Sequence, residues 1–375
     1  MVSDRRMIAG YDWLFLIVLF IILGLGVLSI YSVTTLHETT STGRTPLYMK
    51  QIYWIILGWV AFLIMAWIDY HEIIRFAYPI YAGTIVMLAL VPFIGRVGMG
   101  AQRWIQIGSL SFQPSEVAKI SILLALAKYF SDYYPKKGLN LKELMVPAAL
   151  LLLPMVLILK QPDLGTALSI SSIFFSMLFV VGLKSKFLIN FSLLSAMLSP
   201  FIGQLIWNHL KDYQKKRLLT FINPANDPTG TGYQIIQSKI AIGSGGLSGK
   251  GLFGGTQSQL QFLPERHTDF IFSVFAEQWG FLGILFLFLL FLFLFSWTIE
   301  IATRSRDILG SLIVVGVIGL ISFYVLVNIG MTLGVMPVVG VPLPLFSYGG
   351  TAMVSTMALL GLLLNVKLRR FMLFY

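Results

Sequence analysis

Asp269 is the residue whose type and setting best suit chemistry. It closes the run Pro264-Glu265-Arg266-His267-Thr268-Asp269, where a polar, glycine-containing stretch meets a long apolar one. A carboxylate at such a boundary can take a proton from a substrate hydroxyl. The same position also suits a helix cap, with Thr268 or Asp269 accepting from the first backbone N–H groups. Glu116 and Lys119 lie three residues apart at the start of another apolar run, so they share a helix face and can pair. A charge at membrane depth costs about 2.5–3.5 kcal/mol on insertion scales. The pair is therefore either a structural lock or a polar site open to one face. In Lys160-Gln161-Pro162-Asp163, Asp163 suits the N-cap of the segment after it and Lys160 the C-terminal dipole of the segment before it, while both also suit a site. The glycine-rich run Gly243 to Gly251 resembles a phosphate loop only superficially, because Ser244 and Gly251 break the required pattern. Its backbone could still cradle a pyrophosphate.

The elements that must position these groups are membrane helices. The chain has 375 residues, 57% hydrophobic and 11% charged, with mean hydropathy +0.83; a soluble domain carries about 25% charged residues. The apolar residues form long blocks, which satisfy their backbone internally only as helices, and the alternation of a membrane barrel is absent. The expected fold is an all-α integral membrane protein with about ten transmembrane helices. The spans fall at Trp13–Val33, Ile52–Ile68, Phe76–Ile94, Ser115–Phe130, Leu144–Leu159, Leu164–Leu183, Phe187–Ile206, Asp269–Trp297, Ile308–Leu333 and Ser347–Val366. The first is too long for a signal-peptide core and reads as a retained span. All of residues 1–375 read as one polytopic membrane domain.

Lysine and arginine set the orientation. With a cytoplasmic N-terminus, the inner side carries Arg5, Arg6, Arg75, Lys128, Lys136, Lys137, Lys142, Lys184, Lys186, Arg304, Arg306, Lys367, Arg369 and Arg370. The short outer loops carry only Arg44, Lys50, Arg96, Arg103 and Lys160. Both termini are thus expected in the cytoplasm, and the long loop 207–268 between helices 7 and 8 is expected outside. The net charge of +11 then reflects anchoring rather than nucleic-acid binding. Without cysteine there is no disulfide framework, and the four histidines are scattered. The irregular, proline-bearing stretch Gly334 to Gly350 belongs in protein or against a wet cavity.

Read in order, the motifs resemble the SEDS family of cell-wall polymerases (shape, elongation, division and sporulation), closest to its elongation branch. They are Arg103-Trp104; Gln113-Pro114-Ser115-Glu116 with Lys119; Gln161-Pro162-Asp163-Leu164-Gly165-Thr166; Gly232-Tyr233-Gln234 with Gln237-Ser238; Gly254-Gly255-Thr256-Gln257; Phe262 through Phe270; and Pro342-Leu343-Pro344 with Ser347-Tyr348-Gly349-Gly350. The resemblance covers essentially the whole chain.

It implies a peptidoglycan glycosyltransferase that polymerises lipid II on the outer face of the bacterial cytoplasmic membrane during elongation. Asp269 would be the catalytic base. Arg103, Lys119, Lys160 and Arg266 would offer positive charge to the pyrophosphate, Glu116 and Asp163 would orient those cations, and Gln237 and Ser347 would join the substrate site. A divalent cation, Mg2+ or Mn2+, could share the task. Many relatives carry arginine where this chain has Ser111, so either another cation substitutes here, with Arg103 or Arg266 favoured, or the role assigned to that arginine is wrong. Implied partners are a class B penicillin-binding protein transpeptidase and other membrane proteins of the elongation complex. A lipid II flippase and a non-catalytic scaffold are the alternatives.

Overall fold

The computed structural model describes residues 12–38, 45–98, 101–107, 110–133, 138–184, 208, 212–260 and 262–370. The expected span Phe187–Ile206 lies outside them. Helix α1 (Trp13–Glu38) is followed by α2 (Leu47–Trp67), the short α3 (Tyr70–Arg75) and α4 (Ala77–Ile94). A small sheet of β1 (Arg96–Gly98), β2 (Ala101–Ile107) and β3 (Leu110–Phe112) precedes α5 (Pro114–Asp132), α6 (Leu141–Lys160) and α7 (Leu164–Val181). Then come α8 (Asp212–Ile222), α9 (Thr231–Ser244), α10 (Thr256–Gln259), α11 (Ile271–Thr303), α12 (Ile308–Thr332) and α13 (Gly350–Arg369). Eight of these helices are long and apolar enough to cross a membrane. Helix α5 matches an expected span in position, although Glu116 and Lys119 lower its apolarity.

Two features add to the expected fold. The segment between α4 and α5 is an antiparallel sheet in the order β1-β2-β3. The long loop is largely built of α8, α9 and α10 with a 3-10 turn at Pro224–Asn226. Neither could show as an apolar block, because both are too polar to cross lipid.

Small residues set how closely the spans approach, as expected where lipid supplies no hydrophobic drive between helices. A Cβ on Gly361 of α13 would come within 2.3 Å of the Phe62 carbonyl on α2, and one on Gly350 within 2.5 Å of Trp54. The resulting core runs through α1, α2, α4–α7 and α11–α13. At one end of the bundle, Asp12 pairs with Lys367 and Asp69 with Arg369. His71 bridges Asp69 and Asp307 at 2.9 Å each. The candidate site residue Asp269, just before the start of α11, lies towards the other end.

The glycine-rich run 243–251 docks on α11. That helix kinks at Gly280, held at φ +64°. The kink frees carbonyls at Glu277 and Gln278, which accept from the N–H groups of Lys250 and Gly251 at 3.0 Å each. The glycines are needed for contact: a Cβ on Gly249 would meet the Gln278 carbonyl at 2.1 Å, and one on Gly280 the Gly249 nitrogen at 2.3 Å. Lys250 also pairs with the fully buried Glu277 at 3.1 Å. Gly280→Ala combines a left-handed backbone with that collision, so it should lower stability by more than about 1–3 kcal/mol. A fall in the thermal unfolding midpoint of the detergent-solubilised protein would show it.

Candidate active site

Asp269 ends the 264–270 turn, two residues before the spanning helix α11 begins. It does not cap that helix. The N-cap is Phe270, and no side chain completes the cap. The Thr268 hydroxyl turns back to Glu265 at 2.9 Å. With the capping reading removed for both residues, the position of the Asp269 carboxylate has no helix-terminal explanation.

Its backbone, by contrast, is firmly held. Three successive carbonyls each accept from a different donor. The Tyr348 N–H donates to His267 at 2.9 Å, the Ser347 hydroxyl to Thr268 at 2.7 Å, and the Asn328 amide to Asp269 at 2.9 Å. Ser347 also accepts from the Leu343 N–H at 2.8 Å. Its hydroxyl therefore fixes two loops against each other. The irregular stretch 333–349 thus wraps the 267–269 turn. Gly340, at φ +74°, faces the carboxylate, with Asp269 Oδ2 3.5 Å from where a Cβ would stand. A Cβ on Gly165, at the start of α7, would meet Val341 at 2.9 Å and the Val339 carbonyl at 3.0 Å. That close approach brings the N-terminus of α7 to the same wall.

Asp163 does cap α7, as one of its two sequence readings expected. Its carboxylate accepts from the Thr166 N–H at 3.1 Å and hydroxyl at 2.9 Å, and from Gln113 at 3.2 Å. Arg103, on β2, donates to the Gln161 carbonyl at 2.9 Å and to the Pro162 carbonyl. Its guanidinium stands 3.9 Å from Asp163. The sheet therefore presents Arg103 to the turn between α6 and α7. Asp163 and Arg103 both act electrostatically on Asp269, as do Glu265 and Arg217. These groups form one charged neighbourhood.

Burial pushes the Asp269 carboxyl up to about 7, reinforced by Glu265 and Asp163 and opposed by Arg217 and Arg103. The residue as a whole is still partly open to solvent. Such an acid changes charge near neutral pH, where a general base works best. Arg266, half-buried, has its pKa lowered by that burial.

Glu116 and Lys119 form a different kind of feature. They pair at 2.7 Å and are almost wholly buried. Lys119 also donates to the Tyr324 hydroxyl at 2.8 Å, and Ser355 donates to Glu116. The pair ties α5 to α12 and α13, and Lys119 lines a crevice with Tyr324 and Ser347. Lys160 is exposed at the end of α6, and Gln237 lies half-exposed on α9. Among the described residues, neither is joined to the Asp269 neighbourhood by a hydrogen bond or ion pair. No three histidine, aspartate or glutamate side chains converge to hold a metal ion among those residues.

Sequence reasoning passed over Arg217, Tyr324 and Asn328. The last two had a signal: polar residues four apart inside an apolar helix share one face and need partners. Arg217 had only its charge, in a segment whose helix is not apolar.

Fold and site together define a multi-pass, predominantly helical membrane protein with a carboxylate residue whose backbone is fixed where a structured loop enters a spanning helix. The chain belongs to the FtsW/RodA/SpoVE family of cell cycle proteins, whose model matches residues 12–371. It is similar to the peptidoglycan glycosyltransferase MrdB of Escherichia coli (strain K12), with 41% identity over 325 residues, 86% of each chain. Among solved structures it resembles the rod shape determining protein RodA of Thermus thermophilus, at 31% identity and TM-score 0.69, covering 96% of this chain and 98% of that one. It also resembles a chain of a peptidoglycan synthase complex that coordinates polymerization and crosslinking, at 36% identity and TM-score 0.81, with the same coverage.

Proposed function

We propose that the chain is a peptidoglycan glycosyltransferase of cell elongation, with Asp269 as its general base and lipid II as its substrate, acting at the outer face of the cytoplasmic membrane. One observation carries the reading: Asp269 is locked by its backbone, takes no part in capping, and has its carboxyl shifted towards neutrality by burial.

The chemistry is a single displacement. Asp269 removes the proton from the 4-hydroxyl of an acceptor GlcNAc, and that oxygen attacks C1 of a donor MurNAc. The bond from C1 to the undecaprenyl pyrophosphate breaks as the new bond forms, so the α-linked donor gives a β-1,4 linkage. One inversion needs no covalent glycosyl-enzyme. Pyrophosphate leaves readily, and its developing charge requires nearby cations. Arg103 and Arg266 take that part in this reading. Lys119 serves the fold through its buried pair with Glu116. A class B penicillin-binding protein is the partner that would crosslink the strands, in keeping with the synthase complex that contains a structural relative.

Because burial raises the Asp269 carboxyl to about 7, the basic form is lost as pH falls. The polymerisation rate should therefore drop by up to about tenfold per unit below neutrality and level off above pH 8. Initial rates at constant detergent and saturating substrate check this. Purified protein given lipid II in detergent should form glycan strands, since no leaflet needs crossing. Leaflet exchange of labelled lipid in liposomes without strand formation would instead favour a flippase.

A further inference from the structure

Helix α12, largely apolar, carries a buried polar stripe. Tyr324, Asn328 and Thr332 are spaced by four, so they share a face, and each reaches a different element. Tyr324 receives the Lys119 hydrogen bond from α5 and approaches Ser169 of α7 at 3.4 Å. The Thr332 carbonyl accepts from Ser238 of α9 at 2.6 Å. Asn328, between them, is fully buried. Its amide nitrogen donates to the carbonyl of Asp269 at 2.9 Å and to that of Val341 at 2.7 Å.

The two donations serve different chain segments. The protons of a carboxamide nitrogen lie in one plane at a fixed angle, so accepting both fixes the separation of the two carbonyl oxygens. One belongs to the Asp269 residue itself. The other follows Gly340, the residue facing its carboxylate. The Oδ1 atom of Asn328 is buried without a partner. Keeping such an amide inside a spanning helix is costly, and leucine would satisfy packing alone at no such cost. We infer that Asn328 is a positioning residue, which sets the Asp269 carboxylate against the 339–341 wall so that the acceptor hydroxyl meets it in reacting geometry. This rests on the reading of Asp269 as the base.

Positioning and packing make different predictions. Misplacement of a reacting group by about 1 Å can cost about 100-fold in rate. Asn328→Leu, which removes both donors, should therefore lower kcat by about 10- to 100-fold while KM for lipid II stays within about threefold. Loosening the turn also admits water to Asp269, which feels Glu265 of its own turn, Arg217 of α8, Arg103 of β2 and Asp163 at the start of α7. The midpoint of the pH–rate profile should then move down, towards an ordinary carboxylate. If the leucine variant cannot be isolated folded, Asn328→Ser keeps one hydroxyl donor in a smaller side chain and should show the same two changes in weaker form.

A folded leucine or serine variant with wild-type kcat and an unmoved pH midpoint would overturn the inference, as would a loss confined to KM or to thermal stability. Asp269→Asn, assayed alongside, separates the two readings. If that variant stays active, the base assignment falls whatever Asn328 does. If it is inactive while the Asn328 variants match wild type, only the positioning role falls.

Discussion

Asp269→Asn should lose glycan synthesis by a factor of about 100–10,000, the usual contribution of a positioned general base, with no loss of fold. The amide has the shape of the carboxylate and cannot take up a proton at neutral pH. The structure makes the second half of that expectation firm. The hydrogen bonds that fix the turn run to the backbone carbonyls of His267, Thr268 and Asp269, so they survive the change. No helix cap is lost, because the carboxylate makes none. Stability should even improve at neutral pH and above. The Asp269 carboxyl is raised from 3.8 to about 7 in the fold, so the unfolded chain gives up this proton at lower pH than the folded one. The folded state is thereby disfavoured progressively as pH rises from about 4 to 7. Removing the charge relieves that cost, and the unfolding midpoint at pH 8 should equal or exceed wild type. A residue that harms stability yet sits in a rigid setting is what a working site looks like.

The second large effect concerns stability. Lys119→Met should destabilise the protein by about 3–5 kcal/mol, because it strands the Glu116 carboxylate in the core with only the Ser355 hydroxyl beside it. The loss comes from an unpaired buried charge, so neutralising the partner should restore much of it. The double variant Glu116→Gln with Lys119→Met is expected to melt much closer to wild type than Lys119→Met alone. Thermal unfolding in one detergent compares all three. A double variant that melts no higher than Lys119→Met alone would show that the lysine acts through Tyr324 and the crevice, not through its charge partner.

Much of this architecture was legible in the residues. The apolar runs marked the spans because lipid forces the backbone to satisfy itself within each segment. The structured spans fall close to the expected ones, as α12 at Ile308–Thr332 and α7 at Leu164–Val181 show. The small sheet was not legible, since its strands carry Arg96, Gln102, Arg103 and Gln106 and are too short to stand out by pattern. Helices α8 and α9 were hidden for a related reason: α9 folds against the bundle through contacts such as Ser238 with Ser273 at 2.6 Å, which link residues distant in sequence, and α8 packs on α9. The motif at Asp269 was visible, but its role was not. Capping and catalysis use the same residue types at the same place, and the backbone at Phe270 removes the capping reading. The glycine run 243–251 carries the same ambiguity. Glycines permit close approach to a phosphate or to another backbone, and here Gly249 meets Gln278.

The most direct test measures initial rates of strand formation from labelled lipid II by purified wild-type protein and by Asp269→Asn, matched for unfolding midpoint, from pH 5.5 to 8.5. Wild type should rise through neutrality to a plateau while the asparagine protein stays near background throughout. Equal rates across that range, from two equally folded proteins, would contradict the assignment of Asp269 as the proton acceptor.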